Sequence, residues 1–183
     1  MWVFVLVVIG TAFAAEPMKA RLEGDRMKVS APSFHFLVEP PLEHLHNGTS
    51  VTFRLTLGLA QRPDFPATRI DTQRCSVSYD LWEEKFAVTH LAPTPTSVSH
   101  LSVEAAEAWC VDKLSLPIAG LAEDQSLWLR LEFIEESTDE QDEDSGPFGL
   151  GLGNLIDIFS RPDREQLLRG GQELGPVQLR GLR

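Results

Sequence analysis

The stretch TSVTFRLTLGLA, residues 49–60, alternates apolar and polar side chains almost without a break. The apolar positions are Val51, Phe53, Leu55, Leu57 and Leu59. Because successive side chains of a strand point to opposite faces, this alternation predicts a strand with one face on a core and the other on solvent.

A second stretch, LWLRLEF at residues 127–133, has the same period and predicts a second half-buried strand over 126–134. Weaker patterns predict a hairpin at 20–29 around Gly24-Asp25, and a strand through Phe34, Phe36 and Val38. Further strands are predicted at 73–79 and 84–91, with Tyr79 and Trp82 packed at the bend between them, and a closing strand at 175–182.

Helical signals are fewer than strand signals. The segment 42–48 predicts a short helix stopped by Gly48, and Ser102 is a candidate N-cap for a helix at 103–111. Two short helices are predicted at 155–159 and 163–168. Many short strands without a βαβ rhythm predict a mainly β fold, a two-layer antiparallel immunoglobulin-like β-sandwich with one or two short helices.

The charge of the chain is concentrated in one place. The 183 residues have a net charge of −11, and seven of the 27 acidic residues fall within 135–144. We therefore predict a β-sandwich domain at 16–136, a solvated acidic linker at 137–147 and a C-terminal unit at 148–183. The linker lacks the final Glu of an EF-hand, since Leu152 occupies that position, although weak nonspecific cation binding stays open. The acidic excess argues against nucleic acid and anionic membrane surfaces.

The N-terminus has the layout of a secretory signal. An unbroken apolar run, WVFVLVVI at residues 2–9, is followed by Ala12-Phe13-Ala14. We predict a signal peptide at 1–15, cleaved near Ala14-Ala15, and a secreted or periplasmic mature chain without a membrane span. No Lys or Arg precedes the apolar run, so an uncleaved anchor is the alternative.

The two cysteines, Cys75 and Cys110, are an even number in a chain predicted to be exported. Such a count indicates one disulfide, and a pair of buried free thiols is the alternative.

No catalytic, metal or cofactor site is predicted. Motifs such as G-x-S-x-G and the P-loop are missing from the sequence. His44 and His46 point to different sides of a helix, so they cannot hold a metal as HExxH does. Glu83 and Glu84 are adjacent on a strand and face apart, so they cannot flank one glycosidic bond.

Several segments resemble an uncharacterised family of exported bacterial proteins, a domain of unknown function often encoded near a membrane sensor kinase. They are CSVSYDLWEEKFAV (75–88), SVEAAEAWCVDKLSLP (102–117), LWLRLEF (127–133) and FSRP (159–162). The family's Asn-Gly before a long alternating strand is matched by Asn47-Gly48, and its closing Gly-Pro strand by residues 175–179. The resemblance implies a bacterial envelope location and no known catalytic residues.

Three functions are compatible with the sequence. The first is a non-enzymatic interaction or signalling-accessory module with an unknown protein partner in the cell envelope, which predicts an exposed apolar patch or an open strand edge. The second is a structural or glycan-binding envelope protein, which predicts exposed aromatic side chains stacked on one face. The candidates are Tyr79, Trp82, Trp109 and Trp128. The third is a hydrolase or metal-dependent enzyme, which predicts a cleft lined by converging acids or histidines.

Overall fold

A computed structural model describes residues 17–136 and 168–182. The strands are β1 (Lys19–Glu23), β2 (Arg26–Ser30), β3 (Val51–Ala60), β4 (Arg69–Asp80), β5 (Lys85–His90), β6 (Thr96–Leu101), β7 (Leu116–Pro117), β8 (Leu127–Glu136) and β9 (Arg169–Val177). These described ranges also contain helix α1 (Pro41–His46), helix α2 (Val103–Asp112) and a 3-10 turn (Leu179–Leu182). No helix among them is long and apolar enough to cross a membrane.

The strands form two antiparallel sheets. The larger has the order β6-β5-β4-β3-β8-β9, and the smaller has the order β1-β2-β7. Helix α2 contacts both β5 of the larger sheet and β2 of the smaller. The prediction of a mainly β fold with antiparallel sheets and short helices is confirmed; the immunoglobulin-like strand arrangement stays a prediction.

Strand β3 is central because it pairs along its length with both β4 and β8. Its alternate residues from Val51 to Leu59 are buried, as the sequence predicts. Leu57, for example, lies opposite Leu131, so the apolar positions of β3 and β8 share the inner face of the sheet. The opposite face, called here the outer face, has Thr56 of β3 next to Thr72 of β4.

The predicted strand through Phe34, Phe36 and Val38 is wrong, because the structure has no strand there. The Phe36 ring is fully buried and lies 4.9 Å from the ring of Phe53 and 5.8 Å from that of Phe133. Its backbone N–H bonds to the carboxylate of Glu107 in α2 instead of a neighbouring strand. The alternation of apolar residues therefore reports burial but not sheet pairing.

Strand β6 is absent from the sequence prediction, which has only a proline-rich loop before Ser102. Its apolar residues Val98 and Leu101 are only partly buried, because β6 lies at the edge of the larger sheet. Strand β4 begins at Arg69 rather than at residue 73. Its first inward-facing residues are polar and bond to the chain around β7: Arg69 donates to the carbonyl oxygens of Pro117 and Ala119.

The C-terminal prediction is also wrong in position. Strand β9 covers Arg169–Val177 and pairs with β8, whereas a strand was expected at 175–182, and Leu168 precedes β9 outside any helix. Glycines allow this pairing: a Cβ on Gly170 would lie 2.7 Å from the Phe133 ring, and one on Gly175 would lie 2.5 Å from the Trp128 ring. The predicted signal peptide, the predicted 137–147 linker and most of the predicted C-terminal helices lie outside the described residues.

The local turn and cap predictions are confirmed. Strands β1 and β2 form the expected hairpin, and Gly24 in its turn has φ of 61°. Helix α1 is followed by Gly48 with φ of 84°. At the start of α2, the Ser102 hydroxyl accepts a hydrogen bond from the Ala105 N–H at 3.2 Å. These positions need glycine or a capping hydroxyl for reasons that act within a few residues, so the sequence identifies them directly.

Candidate functional site

A groove crosses the outer face of the larger sheet. The loop 61–68, which joins β3 to β4, lies over this face and contributes Pro63, Phe65 and Ala67 to one wall. The groove is shallow, with a cavity volume of about 80 Å³, and it is open to solvent. We call it the outer groove. Its floor and other walls come from the sheet residues Thr56, Gly58, Ala60, Ile70, Trp128, Leu129, Arg130, Glu132 and Glu173.

The outer groove is apolar where polar residues would be expected. Ile70 on β4 is 62% exposed and Phe65 in the loop is 52% exposed. Gly58 lies opposite Ile70 and lets the loop approach, because a Cβ there would be 3.1 Å from the Cβ of Ala67. Contiguous exposed apolar side chains are a common feature of binding surfaces.

Charged side chains form the rim of the outer groove. Arg130 Nε donates to Glu173 Oε1 at 2.6 Å, and its Nη2 donates to the Pro63 carbonyl oxygen at 3.0 Å. This arginine therefore ties the loop to the sheet. The hydrogen bond and charge of Glu173 raise the pKa of Arg130, with smaller contributions from Glu132 and Asp64. These three carboxylates exceed the positive groups of the rim, Arg130 and the Arg62 guanidinium that lies 5.1 Å from the Phe65 ring centre.

The two cysteines meet between β4 and α2. Both are buried and both carry free thiols, so the structure brings them together without the predicted disulfide bond. The hydrogen bond to Cys75 and burial raise the pKa of the Cys110 thiol. A thiol whose pKa is raised is a poor nucleophile, so this pair does not have the features of a catalytic cysteine.

The four aromatic residues predicted as interaction candidates lie in three different places. Trp128 lines the outer groove, and Trp109 on α2 lies under the Lys113 ammonium, which is 4.0 Å from its ring centre. Tyr79 packs on Phe86, as expected near the bend between β4 and β5. Trp82 is 97% exposed in that bend, so its predicted packing there is wrong.

The bend between β4 and β5 is ordered by Asp80. The Asp80 Oδ1 atom accepts hydrogen bonds from the backbone N–H groups of Trp82 at 2.8 Å and Glu83 at 3.1 Å. Glu83 in turn lies 2.8 Å from His100 Nε2 on β6. The hydrogen bonds to Asp80 and the contact between Glu83 and His100 therefore stabilise the bend. They give Trp82 a defined backbone conformation.

We expect the Asp80 carboxyl group to titrate below the usual range of aspartate. The backbone N–H groups of Glu83 and Trp82 hydrogen-bond to its ionised form and lower the pKa of Asp80. A lowered folded-state pKa means that this stabilisation is present above the unfolded value of about 3.9 and is lost as the pH falls through the folded pKa. Carboxyl-carbon NMR titration measures this value, and a midpoint at or above about 3.9 would contradict the geometry.

Two polar networks stabilise the inner side of the fold and are missing from the sequence predictions. Glu107 is 4% exposed; its Oε1 accepts the N–H groups of Phe36 at 2.7 Å and Leu37 at 2.8 Å, and its Oε2 lies 2.8 Å from His35 Nδ1. The sequence contains one sign of this role, because Glu107 is four residues after Val103 and three before Cys110, on the core-facing side of α2.

The second network joins Asp71, Gln73 and His90. The Asp71 carboxylate accepts hydrogen bonds from the Ser115 N–H and from Gln73 Nε2, each at 2.8 Å. Gln73 Oε1 lies 2.7 Å from His90 Nε2 and therefore accepts its proton. Burial and the nearby Lys113 charge lower the pKa of His90. Both networks use their carboxylates to satisfy backbone donors, which is a structural role.

Among the described residues, the histidines of α1 show no metal-binding arrangement. His46 contacts the Tyr79 ring with ring centres 4.6 Å apart, and His44 is two residues earlier on the same helix. Within the part of the chain that the structure describes, no group of three or more His, Cys, Asp or Glu side chains could hold a metal ion.

No family model, curated protein or solved structure matches this chain.

Proposed function

We propose that this chain is a non-enzymatic interaction module of the periplasm or the secreted fraction, and that it binds a partner protein in the outer groove. The observation that supports this function is the exposure of Phe65 and Ile70 beside Trp128 on a sheet face that is mostly polar. An exposed apolar patch is what the interaction function predicts. The separate positions of the four aromatic residues do not favour the glycan-binding alternative.

The chemistry of the groove defines the part of the partner that fits it. Its lining is mainly apolar, and three carboxylates, Asp64, Glu132 and Glu173, lie at or near its rim with two arginines. We propose that the occupant is an apolar segment of a protein, flanked by a basic residue that faces Glu132 or Glu173. The basic residue adds specificity and on-rate, whereas burial of the apolar segment supplies most of the affinity.

Photo-cross-linking tests this function. Benzoylphenylalanine replaces Phe65 in the groove in one protein, and Asp25 in the β1–β2 turn in a matched control. We expect a discrete protein adduct at position 65 in envelope extract, weakened about fivefold or more when Ile70→Ser is added, because the floor of the groove beside the probe loses its apolar contact. Equal adducts at both positions, or none at position 65, would overturn the proposal.

We also propose export through the N-terminal segment and oxidation of Cys75 and Cys110 to a disulfide. Two thiols release two protons and two electrons to an oxidised thiol–disulfide oxidoreductase when this bond forms. The proximity of the two buried thiols and the raised pKa of Cys110 support a structural rather than catalytic pair. The bond would close a loop of about 35 residues and stabilise the fold by about 3–4 kcal/mol through loop-closure entropy.

We expect native material to begin near Glu16 and to have a mass about 2 Da below that of the fully reduced chain, because two hydrogens are lost. Intact-mass spectrometry with and without a reductant measures both quantities. A Cys75→Ser–Cys110→Ser variant is the control and should show no shift on reduction. Retention of Met1 would contradict export, and an unshifted mass in native material would contradict the disulfide.

A further inference from the structure

The bend between β4 and β5 presents an apolar pair to solvent. We call residues 81–84 the β4–β5 tip. Trp82 is almost fully exposed and its neighbour Leu81 is more than half exposed. Neither side chain contributes to the core, and Trp82 has no ring contact with another described residue. Two adjacent exposed apolar side chains, one of them Trp, are the residue types that dominate binding energy at protein interfaces.

Hydrogen bonds order the backbone of the tip. Asp80 accepts the N–H groups of Trp82 and Glu83, and it pairs with Lys85 at the last position of the β4–β5 ladder. Glu84 has φ of 53°, a left-handed conformation that closes the turn. Since the backbone is already ordered, burying Trp82 in a partner costs little additional conformational entropy.

The tip is also acidic. Asp80, Glu83 and Glu84 flank the two apolar residues in sequence, and Lys85 is the next residue along the chain. His100 lies 2.8 Å from Glu83. The lowered pKa of Asp80 keeps that carboxylate ionised through the neutral range. These negative charges repel an anionic lipid surface and attract a basic protein surface.

We propose that Leu81 and Trp82 insert into an apolar pocket, rimmed by Lys or Arg, on a partner protein. This goes beyond the function proposed for the outer groove, because the two surfaces lie at opposite ends of β4. The strand has 12 residues, about 40 Å at roughly 3.3 Å per residue. The chain can therefore bind one protein at each end and act as a bridge between them.

The test compares four versions of the immobilised exported chain in envelope extract: wild type, Trp82→Ser, Glu83→Lys–Glu84→Lys and Phe65→Ser. We expect a protein that wild type and Phe65→Ser retain equally, and whose retention falls about tenfold or more with either tip variant. Retention should also fall with increasing salt, because opposite charges steer the contact. Loss of this protein with Phe65→Ser instead would place it in the outer groove and would overturn the tip proposal.

Three further outcomes would overturn the tip proposal. The first is retention that is independent of Trp82 and of the two glutamates. The second is Trp82-dependent flotation with vesicles of phosphatidylcholine, alone or with phosphatidylglycerol, which would identify a membrane as the partner. The third is concentration-dependent dimerisation, in analytical ultracentrifugation, that Trp82→Ser abolishes. Circular dichroism and urea unfolding serve as folding controls, and both should be unchanged because Trp82 is exposed.

Discussion

Replacing Glu107 with Leu should lower the free energy of unfolding by about 3–5 kcal/mol, because two buried backbone N–H groups lose their acceptor. These groups belong to Phe36 and Leu37, and no strand pairs with this segment in the structure. Leucine is similar in size to glutamate, so the loss of unfolding free energy would come from unsatisfied N–H donors and not from a cavity. Urea denaturation followed by circular dichroism measures it.

Two variants on the same helix are the controls for this prediction. Glu107→Gln keeps the Oε1 acceptor for both N–H groups and should lower the free energy of unfolding by about 1 kcal/mol, mostly through the changed contact with His35. Glu104→Gln removes an exposed carboxylate in the first turn and should leave the free energy of unfolding nearly unchanged. A Glu107→Leu protein within about 1 kcal/mol of wild type would show that the segment 31–40 finds other hydrogen-bond partners.

Replacing Phe36 with Ala should lower the free energy of unfolding by about 3–5 kcal/mol, the usual effect of removing a buried aromatic ring. The Phe36 ring fills the space between Phe53 of β3, Phe133 of β8 and Phe34. It therefore joins the segment before α1 to the two central strands. Thermal and urea unfolding of the variant measure the loss.

The control for Phe36→Ala is Phe65→Ala, which removes the same ring from the outer groove. Phe65 is about half exposed and belongs to the loop 61–68 rather than to the core. We expect a change below about 0.5 kcal/mol in the free energy of unfolding. Similar losses for the two variants would contradict the assignment of Phe36 to the core and of Phe65 to a binding surface.

The sequence predicts the centre of the fold well because β3 and β8 each have a buried and a solvated face. Alternation of apolar and polar residues follows directly from that arrangement. The alternation fails as a predictor where hydrogen bonds to other parts of the chain, and not the burial of one face, hold a segment in place. Polar residues at the start of β4 bond to the chain near β7. In the segment that resembles a strand, backbone N–H groups donate to the carboxylate of Glu107 instead of to a neighbouring strand.

The edges of the larger sheet are harder to predict than its centre. Strand β6 has few buried side chains, so its pattern resembles that of a loop. Strand β9 contains Gly170 and Gly175, which lie against the rings of Phe133 and Trp128 and have no side chain to show which face is buried. In both strands the partner strand determines the structure. The partner of β9, strand β8, is also distant in sequence, whereas β6 forms a hairpin with β5.

The outer groove is also hard to find from the sequence. Phe65 lies between two prolines in a loop, and Ile70 is one apolar residue in a polar stretch, so neither belongs to a periodic pattern. The loop 61–68 folds over the outer face and brings Phe65 beside Trp128, and the pairing of β4 with β3 brings Ile70 to the same groove. The sequence does identify Trp128 and Trp82 as interaction candidates. It does not show that they lie apart, because their separation depends on the order of the strands in the sheet.

The most direct test of the interaction function is to measure binding and stability together for the double variant Phe65→Ser–Ile70→Ser. Both side chains are largely exposed, so the free energy of unfolding should change by less than about 1 kcal/mol. Retention of the protein that cross-links at position 65 should fall about tenfold or more, because the groove loses its apolar wall and floor. Unchanged retention by a double variant that is as stable as wild type would contradict the account.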